Sequence, residues 1–193
     1  MFAEKRAQQS SAVRKLLEMS DSKKQRKLIK DLLVNIKKVL MECETLLARE
    51  SIDLDSMRVL AVGERKASPQ GEAELREAVS MVVENAAFVC QFVLYFPEMV
   101  GRMFRKDDDL MRTFKWAYEM SLKLSLHDPG TEELMDLAGQ ELQLIPRRDD
   151  YTNPYSQASR REEMERAAVE ESKRRNDKKP REPVLSRPSL DEL

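Results

Sequence analysis

The chain has 193 residues, 36% of them charged and only 5 of them glycine, with a formal net charge of -1. This length and composition predict one helical domain with a real core plus a tail, and two thiols, Cys43 and Cys90, are far too few for a disulfide scaffold. The charge divides as -2 over residues 1–146 and +1 over residues 147–193, so neither part has the excess of cations that a phosphate backbone rewards, and nucleic acid is not an expected partner.

Residues 3–19, with Val13, Leu16 and Leu17, predict a weak first helix. Residues 23–48 predict a stronger one, because Ile29, Leu32, Ile36, Val39, Cys43 and Leu46 recur by threes and fours, and Leu33, Leu40 and Leu47 widen that stripe. A stripe this broad suits packing inside a bundle better than a two-stranded coiled coil. Ser20, Asp21 and Ser22 are N-cap candidates, and the basic cluster from Lys23 to Lys30 reads as a solvated face at the unfavourable end of the helix dipole. Residues 51–71 lose the period and contain Gly63, Ser68, Pro69 and Gly71, which predicts a loop with one helical turn near residues 57–62.

Residues 72–96 predict a helix buried on most sides. Its apolar run, residues 81–96, is shorter than the ~20 residues a bilayer requires and contains Glu84, Asn85 and Gln91, so no membrane span is expected. Pro97 ends or kinks this helix and can start the next. Asp107, Asp108 and Asp109 can cap a helix carrying Met111, Phe114, Tyr118 and Leu122, and His127-Asp128-Pro129-Gly130 breaks it. A last amphipathic helix follows over residues 131–144, closed by Pro146. The expected architecture is all-α: a compact bundle of five to six helices over residues 1–146, then a charged, partly disordered or helical arm over residues 147–193.

The arm has few large apolar groups. Arg161/Glu165, Glu162/Arg166, Arg166/Glu170 and Glu170/Arg174 are i,i+4 partners, each contributing about 0.2–0.5 kcal/mol to a helix. Lys173, Arg174 and Arg175, with Lys178, Lys179 and Arg181, form a basic patch that reads equally as a partner-binding or nuclear-import site and as a solvated run. Pro180, Pro183 and Pro188 keep the end extended.

Catalytic chemistry is not predicted. The single histidine, His127, lies beside a Pro-Gly turn and is expected at the surface, and the thiols are too far apart in sequence for a typical metal site. No phosphate-cradling Gly-rich loop and no nucleophile motif occurs, so neither a catalytic set, a metal nor a cofactor is expected. Cys43 and Cys90 fall on apolar faces, which favours buried free thiols over a bridge. Glu84 and Asn85 stand out inside the apolar helix. Internal hydrogen bonds are the first expectation for them, contacts with another protein the second. The 11 methionines with Phe88, Phe92, Phe96, Phe104, Phe114 and Trp116 are expected mostly in the core, with an adaptable groove as the alternative.

The chain ends in Leu190, Asp191, Glu192 and Leu193, which resembles the retrieval signals of proteins resident in the endoplasmic reticulum. A receptor reads such an end through its carboxylates, held by backbone amides and basic groups. Met1-Phe2-Ala3-Glu4-Lys5-Arg6 offers no apolar run of the length a signal peptide needs, so residence in the lumen implies a leader outside these residues; the alternative is a cytosolic protein with a coincidental end.

Taken in order, Met1-Phe2 before a Lys/Arg/Gln helix, the leucines of residues 32–47, Val82-Val83-Glu84-Asn85 with Ala87-Phe88, Phe96-Pro97, Gln140-Glu141-Leu142, Asn153-Pro154, the Arg/Glu/Lys arm and the acidic-leucine end resemble the coiled-coil domain-containing protein 134 family over nearly the whole chain. Two features depart from the family pattern: the leader, and Asp191 where the family has Ser. The resemblance implies a non-enzymatic adaptor of the endoplasmic reticulum lumen, partly secreted. Its implied partners are a retrieval receptor, the nascent chaperone endoplasmin, and the oligosaccharyltransferase at the translocon, where excess glycosylation of the client is prevented. It also implies an alternative, a secreted or nuclear regulator of mitogen-activated kinase signalling or of a transcriptional coactivator.

Overall fold

The structure is a computed structural model and describes residues 2–62 and 70–177. Every regular element among them is a helix. The order is α1 (Phe2–Leu17), α2 (Ser22–Arg49), α3 (Leu54–Val62), α4 (Gln70–Tyr95), α5 (Pro97–Phe104), α6 (Asp108–Leu124), α7 (Pro129–Glu141) and α8 (Gln157–Asp177). The helix count exceeds the expected five to six because two short pieces become helices of their own. The turn foreseen at residues 57–62 begins at Leu54, where the Asp53 carboxylate accepts bonds from the Ser56 amide at 2.9 Å and the Ser56 hydroxyl at 2.8 Å. Pro97, at the first position of α5, separates that helix from α4.

The chain divides into two compact units, Met1–Ser156 and Gln157–Leu193. In the first, α4 is the axis: α1, α2, α3, α5, α6 and α7 all pack on it. Its Val79, Val82, Ala86, Cys90, Phe92 and Leu94 are fully buried, so the helix that is nearly all apolar in sequence is apolar because it has neighbours all round. Residues Gly71–Tyr95 have the length and apolar character to cross a bilayer, yet 78% of their most apolar window is buried inside the fold. Aromatic contacts knit the core: Phe88 and Phe92 lie 4.7 Å apart, Phe104 and Phe114 5.3 Å, Phe114 and Tyr118 6.1 Å. Each such pair is worth about 0.5–1.5 kcal/mol beyond the area it buries.

α2 packs on both α4 and α6, and its buried residues are Ile29, Leu33, Ile36, Leu40, Cys43 and Leu47. The stripe is therefore rotated by one position from the series that a simple coiled-coil seam selects: Leu33, Leu40 and Leu47 are the centre, while Leu32, Val39 and Leu46 flank it. Two supporting helices instead of one account for the rotation and the width. Of the cap candidates, Asp21 starts α2 by accepting from the Lys23 and Lys24 amides, and Asp107 starts α6 by accepting from Leu110 at 2.9 Å.

The Tyr118 ring of α6 reaches α7 at Gly139, where an added Cβ would fall on its hydroxyl and within 2.9 Å of its Cζ. The hydroxyl donates to the Met135 carbonyl at 3.2 Å. Beyond α7, residues 147–156 belong to the first unit. The Asn153 amide, buried, donates to the Leu94 carbonyl at 2.9 Å and its oxygen accepts from the Tyr155 amide; the Tyr155 ring lies 5.0 Å from that of Tyr95. The Tyr151 hydroxyl donates to Glu141 at 2.6 Å, beneath the Arg147 guanidinium. Polar side chains seldom announce burial in a sequence, and these contacts make the segment a strap.

Candidate partner-binding groove

α2 and α5 each pack on α4 and α6, and a groove of about 500 Å³ opens between them. Its accessible apolar surface comes from Val34 on α2 and Met99 and Met103 on α5, over the buried Leu33 and Leu110. Around these stand Arg26, Lys30, Lys37, Arg102 and Lys106, against two carboxylates, Glu98 and Asp107. One end is tied: Lys37 Nζ bonds Asp107 Oδ2 at 2.7 Å. The Lys37 ammonium, helped by the Leu110 amide, holds the Asp107 carboxyl below its usual range. Arg26, Lys30, Arg102 and Lys106 are exposed, and no ion pair joins them to another described residue.

The groove is made locally by spacing. Arg26 and Lys30 stand four apart on α2 with Leu33, Val34 and Lys37 continuing the same face; on α5 Met99 and Met103 are again four apart, and Lys106 follows Arg102 by four, two residues past the end of α5. The basic cluster read as a solvated face therefore includes two groove residues. That i,i+4 repetition of cations beside apolar groups is the sequence signal for the site, but which two helices face each other is set by the turn at Pro97. The adaptable groove expected as an alternative for the methionines is present in part: Met99 and Met103 line it, whereas Phe92, Phe104 and Phe114 are core.

Glu84 and Asn85 lie elsewhere, on the side of α4 that α1 covers. Gln9 Nε2 donates to the Glu84 backbone carbonyl at 3.1 Å, and Asn85 Nδ2 donates to the Met81 carbonyl at 2.8 Å. Burial raises the Glu84 carboxyl above its usual range, and Lys5 opposes the shift. Gln91 Nε2 donates to Ser10 Oγ at 3.0 Å, while its buried Oε1 has no hydrogen-bond partner among the described residues. The Gln9 and Gln91 amides thus tie α1 to α4.

His127 is not the surface residue expected. It is partly buried, with Nε2 2.7 Å from the Oγ of the fully buried Ser121. Desolvation lowers its pKa to about 4, Arg6 pushes the same way and Asp128 resists. The turn chemistry was legible, since Asp128 caps α7 by accepting from Thr131 N and Oγ1. Packing of the imidazole against α6 was not. Cys43 and Cys90 are free and buried. Burial, with Glu42 and Glu77 adding to it, pushes the Cys43 thiol up to about 11, and burial pushes Cys90 up as well. Among the described residues no group of three or more His, Cys, Asp or Glu side chains gathers as metal ligands would.

In the second unit, α8 carries Arg174, whose guanidinium bonds Glu170 at 2.6 Å, and Arg166 pairs with Glu162 at 3.7 Å. Lys173 and Arg175 belong to this helix, with side chains outside the described residues; Leu190, Asp191, Glu192 and Leu193 lie wholly outside them.

The family model described as "ERK and JNK pathways, inhibitor" matches residues 1–186. The chain is 29% identical over 157 residues to coiled-coil domain-containing protein 134 of Xenopus tropicalis, and 29% identical over 156 residues to the protein of the same name from Mus musculus. Each alignment covers 80% of this chain and 63% of the relative, so the match spans less than two thirds of those proteins. No solved structure matches the chain.

Proposed function

The chain belongs to the family described as inhibitors of the ERK and JNK pathways, and from that membership we propose that it is a non-enzymatic adaptor of the endoplasmic reticulum lumen that binds segments of other proteins. The observation that carries this reading is the α2–α5 groove, an apolar trough whose rim holds four exposed cations with no ion-pair partner among the described residues. Methionine-lined grooves suit variable protein segments, because the unbranched thioether adapts to different shapes. The client is the nascent chaperone endoplasmin at the translocon, held beside the oligosaccharyltransferase so that excess glycans are not added while it folds. Leu190, Asp191, Glu192 and Leu193 return the adaptor to this compartment through a retrieval receptor.

With a signal peptide fused before Met1, site-specific crosslinkers at Val34 and Met103 are expected to recover endoplasmin and oligosaccharyltransferase subunits. Extending the chain past Leu193 is expected to release it to the medium. Retention of the extended chain removes the retrieval role, and crosslinks to neither partner remove the adaptor role. A second reading, restraint of mitogen-activated kinase signalling by a secreted or nuclear form, is favoured by the description of the family itself. It predicts that replacing Lys173, Arg174 and Arg175 with Gln raises ERK and JNK phosphorylation in cells. Unchanged phosphorylation counts against it.

A further inference from the structure

We propose that the α2–α5 groove receives an acidic segment of another protein, docked as an amphipathic helix of about three turns with its apolar stripe on Val34, Met99 and Met103. The proposal deepens the adaptor reading and rests on it for the existence of a protein client.

Length comes from α2. Arg26 and Lys37, eleven positions apart, mark the two ends of its contribution to the groove, about 16 Å at the helical rise of ~1.5 Å per residue. A helical ligand of about 11 or 12 residues covers that span. Charge comes from the rim. With Lys37 held by Asp107, four exposed cations face one remaining carboxylate, Glu98, and no described residue neutralises those four. The lining, with five cations and two carboxylates, is positive in a chain whose net charge is -1, so the imbalance is local. Carboxylates flanking an apolar stripe would meet cations on both walls at once: Arg26 and Lys30 on α2, Arg102 on α5 and Lys106 just beyond its end.

The shape argues against other anionic partners. Lipid surfaces are met by apolar groups that protrude beyond the cations, whereas here the cations stand around a recessed apolar floor. A nucleic-acid backbone has no use for that floor, and the net charge of -1 gives no long-range attraction to phosphate. Rim charges of this kind act chiefly on association rate and specificity, and the floor supplies adhesion, so both parts are required.

The test uses the purified full chain and a fluorescent peptide of about 12 residues with Leu at i,i+4 spacing and Glu or Asp on either side, read by anisotropy. Binding is expected to weaken about tenfold in the Lys30→Glu/Arg102→Glu protein, whose exposed substitutions leave the helical circular dichroism intact. A similar loss is expected when Gln replaces the acids, when Ser replaces the leucines, or when salt rises from about 0.05 M to about 0.5 M. Equal binding of the Gln peptide overturns the proposal, as does binding to vesicles of anionic phospholipid in place of the peptide. So does self-association through this face in sedimentation, if Lys30→Glu/Arg102→Glu abolishes it while the peptide fails to bind. Should peptide binding fail while the cellular crosslinks to endoplasmin persist, the proposed occupant falls alone. Loss of both takes the adaptor reading with it.

Discussion

His127 shows how one side chain can make a helical protein sensitive to acid. In the fold it is neutral, packed beside Ser121, with Arg6 nearby and a pKa lowered to about 4 from the ordinary 6.5. Between these two values the unfolded chain binds a proton that the folded chain refuses. Stability from this site is therefore complete above about pH 6.5 and is lost as pH falls towards 4, with a slope of at most about 1.4 kcal/mol per pH unit. Urea unfolding of the protein and of His127→Gln across that range measures it. The difference between the two should shrink, then reverse, as the solution becomes acidic, and a pH-independent difference means the imidazole is not held neutral. Sequence could not reveal this, since Asp128-Pro129-Gly130 signals the turn correctly while saying nothing of which helix lies beneath it.

Helix ends tell a similar story. Ser51, Ser125 and Gln143 follow or end α2, α6 and α7 at positive φ of 48°, 51° and 59°, a region usually given to glycine. At Gln143 the closure is a Schellman motif: Gln143 N bonds the Gln140 carbonyl at 3.2 Å and Leu144 N bonds the Gly139 carbonyl at 2.8 Å. The glycine of this region sits instead at residue 139, where Tyr118 leaves no room for a Cβ. Gln143→Gly should relieve the left-handed strain and stabilise the protein by about 0.5–1 kcal/mol, raising the urea midpoint without changing the slope. A lower midpoint would mean the Gln143 side chain contributes more than its backbone costs. Helix positions were legible in the periodicity of residues 23–48 and 72–96 and in the Asp21 and Asp107 caps. Short α3 and α5 were harder, because fewer than three turns offer too little repetition to separate a helix from a loop.

For the molecule as a whole, burial is distributed very unevenly. α4 is surrounded, whereas α8 exposes every residue from 161 to 172, including Met164 at 71% and Val169 at 54%. Ion pairs such as Arg174–Glu170 supply a few tenths of a kcal/mol and cannot replace a core. Hydrogen exchange followed by mass spectrometry should find the amides of residues 157–177 exchanging at rates near those of an unfolded peptide. Amides of α4 should open only with the whole bundle. Strong protection of α8 would show that a partner or a surface covers it. The groove was only half legible at this scale. Its cations and methionines are visible as i,i+4 pairs, but a sequence does not say that α2 and α5 share supports and leave a gap between them.

The central place of α4 has a further consequence for biosynthesis. Translation delivers α1, α2 and α3 first, then the apolar axis, and only afterwards α6 and α7, the last of which ends at Glu141. At ~5–20 residues per second, the stretch from Tyr95 to Glu141 takes about 2–10 s to emerge. Throughout that interval one flank of the nascent α4 has nothing of its own chain to cover it. A protein proposed to shelter unfinished clients is, for those seconds, itself in need of shelter.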